Sequence, residues 1–484
     1  MNSGQATEST DKARKASSLE ILCGSAVQPF ALGTGSGHLW AVSNRPQLTT
    51  LFPCAILCKS TALSTYPTTA DIWPERTLEK ATRKQTKAHN RRLVLKTIYD
   101  QGQISRAAIA RTTGLTRTTV SRVAAGLLGN GLVEEIGYGP SAGGKPPILL
   151  SVAGDARHLI GIDLASDEFR GAIVNLRGEI RHQASLQLQG QKGHAALAVV
   201  YDLIDRLVRA ADRPLLGIGI GTPGLMDPLN GNVRWAVNLE WQNLPLRDLL
   251  RLRHHLPVYV LNDSQAAALA EHAFGEGSDK ENLVVVKLGH GVGAGIILNG
   301  QLFHGESFGA GEIGHVAVVK SGQTCRCGNR GCLETVASAR AIVQQARTVA
   351  ERQPTSLLHQ LAGSPDEIML EHVCRAVKAG DPASRQIVQS LGCHLAVGLA
   401  NLISVLGIRR IVIAGSLACL GQPLLDAIQS DLGGRALDLV AREIELSLSE
   451  MGPEMVILGA SALVLSHEMG LVAPPTNGNL LLAT

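Results

Sequence analysis

The chain has 484 residues and a net charge of +4; its residues are 45% hydrophobic and only 3% aromatic. That length exceeds one ordinary core and predicts two or three domains, with cores built from Leu, Val, Ile and Ala. No run of 18 apolar residues occurs, so no membrane-spanning helix and no membrane partner is expected.

Residues 1–78 are rich in Ser, Thr, Ala, Gly and Pro and keep no period of 2 or 3.6. They are expected to form a disordered or poorly ordered extension. A leader peptide is not expected, because Glu20, Gln28 and Pro29 interrupt the apolar stretch that follows Lys15. Residues 76–130 then hold 12 Lys/Arg against 2 Asp/Glu, a balance of +10 on a chain of net +4. A basic segment on an otherwise acidic chain points to a polyanion partner.

Residues 79–152 read as three helices and a β-wing. The first helix is expected over Lys84–Gln101, where Leu93, Val94 and Ile98 recur at helical spacing and Gly102 ends the run. Ser105–Thr112 follows, then a turn at Gly114, then Arg117–Leu128 capped by Thr116. Strands are expected at Leu132–Ile136 and Pro147–Val152, around a tip at Gly137–Pro146. This is helix-turn-helix spacing. The third helix offers Thr116, Arg117, Thr118, Ser121 and Arg122 on one side, the short polar groups and Arg forks that read a major groove. Lys145 in the wing tip can reach the DNA backbone or minor groove.

From Leu159 strands and helices alternate, predicting two α/β lobes with a cleft between them. The first lobe is assigned to 157–281, completed by a C-terminal helix at about 458–470, and the second to 282–457. The nine cysteines are odd in number and cluster only at Cys325, Cys327 and Cys332. A disulfide framework is not expected in such a chain; a metal site in a reducing compartment is. His315, Cys325, Cys327 and Cys332 make a closed tetrahedral donor set, which suits one structural Zn2+ with no open position. Glu312 lies three residues before His315, and Glu334 two residues after Cys332. Folding of the loop around the ion brings these carboxylates together as acceptors for sugar hydroxyls. In the first lobe, Asn262 and Asp263 sit where a strand runs into a helix, the end at which ligands bind in α/β sheets. Asp263 is there as a base toward a hydroxyl, or as a binding group. Asn238 belongs to a segment expected to close the cleft.

Together these runs resemble the family of repressors, open reading frames and kinases (ROK). The carriers are Gly219–Gly224, Asn262-Asp263, Gly291–Gly295, Glu312–His315 and Cys325–Glu334. With the head, the resemblance covers about residues 84–470 and is strongest to the branch that includes xylose and N-acetylglucosamine repressors. It implies a winged helix-turn-helix fused to a two-lobed actin/hexokinase-like (ribonuclease H-like) body. It also implies zinc at the four positions above and sugar contacts at Asn238, Asn262, Asp263, Glu312, His315 and Glu334. The expected partners are an operator duplex, a sugar effector and further copies of the chain, as a homodimer or homotetramer in the bacterial cytoplasm.

One departure bears on catalysis. Family kinases carry Asp-x-Gly-Gly-Thr-Lys after the first strand. Here the run is Asp163-Leu164-Ala165-Ser166-Asp167-Glu168, without either glycine and with acidic groups where phosphates would lie. His290 stands where the kinases have a small hydroxyl residue. The expectation is therefore a sugar-responsive regulator without kinase activity; the alternative is an ATP-dependent sugar kinase with an accessory head.

Overall fold

The computed structural model describes residues 82–140, 145–165, 167–275 and 281–472. The expected extension 1–78, Gly143 and Gly144 of the wing tip, and Ser166 lie outside the described residues.

The three N-terminal helices are each started by a hydroxyl side chain. Thr82 caps Arg83–Gln101 in a capping box with Gln85, Ser105 caps Arg106–Thr113, and Thr116 caps Arg117–Gly129. Gly114 takes a left-handed conformation at φ 69°, which lets the second helix turn into the third within three residues. Strands Val133–Tyr138 and Ile148–Val152 pair antiparallel. A short strand that the sequence did not reveal, Ile104–Ser105, pairs with the second of these. Val94, Ile98, Ile109, Val120, Ala124, Leu127 and Leu150 form the buried core of this head.

The remaining chain builds two five-stranded sheets with the same internal order. In the first, the order is Val258–Asn262, Leu215–Thr222, His158–Leu164, Glu168–Asn175, Ile180–Gln187. In the second, it is Gln301–Leu302, Val292–Leu298, Leu283–Leu288, Arg410–Ala414, Glu445–Leu448. Each sheet holds an antiparallel meander of three strands followed by two parallel strands. The sequence pattern located the central strands. It did not reveal Ile180–Gln187, whose burial alternates and whose composition is polar, or the short edge strand Glu445–Leu448.

The expected C-terminal helix starts earlier than expected, at Met455, and continues as a wider turn through Leu465–Met469. It lies across the first sheet and against helix Asp263–Phe274. The approach is close enough to require glycine: a Cβ on Gly219 would collide with the carbonyl of Ala460. Gly219→Val is therefore expected to destabilise the fold by about 3 kcal/mol or more, at the upper end of overpacking. Urea unfolding measures this.

One pair of cysteines comes together that the sequence did not single out. Cys374 and Cys419 form a disulfide, because helix Leu370–Lys378 and the turn Ser416–Leu420 pack in one core and bring their Cα atoms to 5.9 Å. A separation of 45 residues gave no sign of that contact. Helix Pro382–Leu406 also has the length and apolar composition of a membrane span, although no single run of 18 apolar residues marks it. Ile387, Leu391, Leu395 and Leu399 bury it in the second lobe.

Candidate functional site

The four-donor His/Cys set forms as a loop closes on itself. Residues 316–333 fold back through bridges between Ala317 and Cys332 and between Thr324 and Arg330. Gly331, at φ 73°, provides the turn and leaves no room for a Cβ against Val319. The four donor atoms of His315, Cys325, Cys327 and Cys332 all lie within 4.8 Å of one another. Cys327 Sγ and Cys332 Sγ are 3.7 Å apart, and His315 Nδ1 is 3.7 Å from Cys325 Sγ. A tetrahedral ion with metal–sulfur bonds of about 2.3 Å requires edges of about 3.8 Å, and these two edges match that length. Burial and then the adjacent thiols push the Cys332 thiol up to about 12, so three thiolates together require a cation. Among residues 316–330 only Cys325 is buried. The loop has no apolar core of its own to hold its shape.

The carboxylates flank that loop. His315 turns Nδ1 to the cysteines and Nε2 to Glu312, 3.7 Å away. Burial pushes the Glu312 carboxyl up; His315 opposes the shift, while Asp263 and Glu334 add to it. These four side chains therefore share one electrostatic neighbourhood, although they come from three separate stretches of chain. Glu334 also accepts a hydrogen bond from the amide of Val292 at 3.1 Å. It thereby fixes the start of strand Val292–Leu298, beside Gly291, where a Cβ would meet its carboxylate.

At the strand-to-helix junction of the first lobe, Asn262 and Asp263 take different parts. Asn262 is the cap: its Oδ1 accepts from the amides of Ser264 and Gln265, and its Nδ2 donates to Gly224 O. Nδ2 carries a second N–H. Asp263 lies at the first helical position and accepts from Lys287 Nζ at 2.8 Å and from Ser264 Oγ at 3.3 Å. Asn238, in a short 3-10 turn, accepts from Arg326 of the metal loop at 2.7 Å. The metal loop thus reaches the first lobe directly.

The two departures from the kinase pattern meet. His290 of the second lobe lies 3.1 Å from Asp167 of the first. Asp163 is buried and bonded to Arg170 at 2.7 Å. Burial pushes its carboxyl up, while Lys287 and Arg170 pull it down. The sequence pattern did not mark Lys287, Arg170 or Arg326. A lysine inside the otherwise apolar strand Leu283–Leu288 was the available signal.

In the head, Arg117, Thr118, Ser121 and Arg122 are exposed along one face of the third helix, and Lys145 is exposed at the wing. Thr116 is engaged as the cap, accepting from the amide of Thr119. The head is tied to the body by Arg177. It donates to Tyr99 O at 2.8 Å and lies 4.7 Å from the Tyr99 ring centroid. A cavity of about 560 Å3 is lined by Arg177, Phe274 and Met451 and contains none of the sugar-set residues.

Two lobes of matching strand order around a carboxylate-lined cleft define an actin/hexokinase-like body, a fold used both by sugar kinases and by regulators. Residues 159–467 match the ROK family, and the chain belongs to it. It is 34% identical over 381 residues to a xylose repressor from Caldicellulosiruptor bescii, covering 78% of this chain and 95% of the relative. The crystal structure of a ROK family transcriptional regulator, a homologue of the E. coli MLC protein, superposes with a TM-score of 0.70 at 28% identity. That match covers 80% of this chain and 98% of the other. A ROK family glucokinase from Streptomyces griseus, in complex with glucose and AMPPNP, superposes with a TM-score of 0.59 at 29% identity, covering 63% and 98%.

Proposed function

We propose that this protein is a sugar-responsive, DNA-binding transcriptional regulator, a repressor whose operator affinity changes when a sugar enters the cleft between its lobes. The observation that carries the reading is one chain in which a head with an exposed Arg/Thr/Ser helix face, tied through its first helix to Arg177 of the body, is fused to a body with carboxylates gathered between its lobes. Similarity to a xylose repressor over head and body together supports it; the glucokinase match covers less of the chain.

The roles follow from the chemistry. Asp263, Glu312 and Glu334 accept from sugar hydroxyls, and His315 and the remaining N–H of Asn262 donate to them. Asn238 completes the rim with Arg326. The metal held by His315, Cys325, Cys327 and Cys332 is zinc and is structural, because its four donors leave no open position. Arg117, Thr118, Ser121 and Arg122 read bases, Thr116 presents the helix, and Lys145 contacts phosphate. The chain acts as a homodimer or homotetramer, so that sugar binding shifts the spacing of paired heads.

A gel shift on the chain's own promoter region, with a panel of pentoses, hexoses and N-acetylated sugars, tests the proposal. Sequence-specific binding that one sugar weakens or strengthens is the expected result. Absence of specific binding at physiological salt overturns it. The acidic run at Asp163–Glu168 argues against phosphoryl transfer. A coupled ADP-release assay is expected to show no turnover, and turnover that vanishes in Asp263→Ala would establish the kinase instead.

A further inference from the structure

The strand Leu283–Leu288 is apolar at every position but one. Lys287 interrupts it and extends from the second lobe to the first, where its ammonium bonds Asp263 at 2.8 Å. Lys287 and Asp163 are also electrostatically coupled. Arg170 closes the group from the other side, donating both to Asp163 at 2.7 Å and to the carbonyl of Pro453 at 3.1 Å. Two carboxylates and two cations therefore cancel within a largely water-excluded end of the cleft. Burying a charge is costly unless it is paired, so Lys287 is held in its strand by what it neutralises.

Two neighbouring carboxylates can also recruit a divalent ion. Mg2+ is bound by one or two carboxylates together with substrate phosphates. Here the protein supplies the positive charge itself.

We infer that Lys287 is a built-in counter-cation for Asp263 and Asp163, taking the place of a divalent ion, and that it makes the cleft a Mg2+-independent, nucleotide-refusing site for an uncharged sugar. The inference rests on the sugar-binding reading above. Lys287 is a positioning and specificity-determining residue: it holds Asp263 in place as a hydrogen-bond acceptor, and it keeps Mg2+ and the phosphates that accompany Mg2+ out of the cleft. An ammonium does this without the phosphate ligands on which Mg2+ depends for affinity.

The experiment uses the full chain, wild type and Lys287→Gln, in two arms. In the first, without sugar, melting temperature is followed against millimolar Mg2+. The wild type is expected to be unmoved. Lys287→Gln, with Asp163 and Asp263 left without the ammonium, is expected to rise. In the second arm, calorimetry with the sugar found in the promoter assay is expected to show affinity reduced about tenfold or more in Lys287→Gln, and partly restored by Mg2+. Lys287→Arg, which keeps the charge, is expected to remain insensitive to Mg2+. A Lys287→Gln chain that ignores Mg2+, or a wild type that responds to it equally, overturns the inference. Should Lys287→Gln fail to fold, the wild type decides: tight binding of Mg2+–AMPPNP overturns the inference, and none supports it. Failure of every sugar to bind the wild type would count against the sugar reading alone, because the Mg2+ arm needs no sugar.

Discussion

A Cys327→Ser chain is expected to lose its metal and its sugar response together, while its operator binding persists. Residues 316–330 bury only Cys325 and pack only Val318 against the second-lobe core, so apolar packing contributes little to holding the loop. Metal binding supplies on the order of 10 kcal/mol of folding free energy in peptides that depend on a structural zinc. Loss of one thiolate leaves an incomplete donor set and a hydroxyl that does not replace it. The consequence reaches the sugar through Glu312 and Glu334. Glu312 faces the Nε2 edge of His315, and Glu334 follows Cys332 and pins the amide of Val292. With the loop loose, both carboxylates lose their positions, and sugar affinity is expected to fall by tenfold to a hundredfold, the scale seen when metal-site supports are removed. No residue of 316–333 belongs to the buried cluster that includes Val94 to Leu150, so DNA binding is expected to survive. Metal content by atomic emission, sugar binding by calorimetry and operator binding by gel shift read the three effects separately. A variant that still responds normally to its inducer shows that the ion does not brace the site.

Replacing Arg117 and Arg122 with Ala is expected to abolish operator recognition with the sugar site intact. Both side chains are exposed on the third helix, and neither supports the core formed by Val120, Ala124 and Leu127. A bidentate arginine contact to a base edge is worth about 1–3 kcal/mol of discrimination, or roughly tenfold to a hundredfold per residue. Lys145→Ala is expected to behave differently, weakening binding to all sequences alike and reducing the salt slope by about one unit. Titrations of operator and scrambled duplexes at several salt concentrations separate the two behaviours. Equal affinity of the double Arg variant and the wild type for the operator would show that another element reads the DNA.

The head was legible because its signals are local. Caps at Ser105 and Thr116, the turn at Gly114 and the 3.6-residue spacing of apolar groups act within a few residues of one another. The structure moved its helix ends by one residue or two and added only Ile104–Ser105. The donor set was legible for the same reason, since all four ligands lie within 18 residues. The body was legible only in its central strands, where burial on both faces leaves a continuous apolar run.

What the sequence determined by itself is therefore the local chemistry: a basic three-helix head, a closed His/Cys donor set and carboxylates on both sides of it. Only the tertiary structure decided how these act together. It made Asn262 the helix cap, paired His290 with Asp167, brought Arg326 to Asn238 across the cleft, and linked the head to the body through Arg177. It also turned Lys287 from one charge in an apolar strand into the partner of Asp263, 24 residues away. The physical reason is the same throughout. Caps, turns and chelating loops form among near neighbours in the chain, whereas the partners of a buried charge are set by packing between strands and lobes.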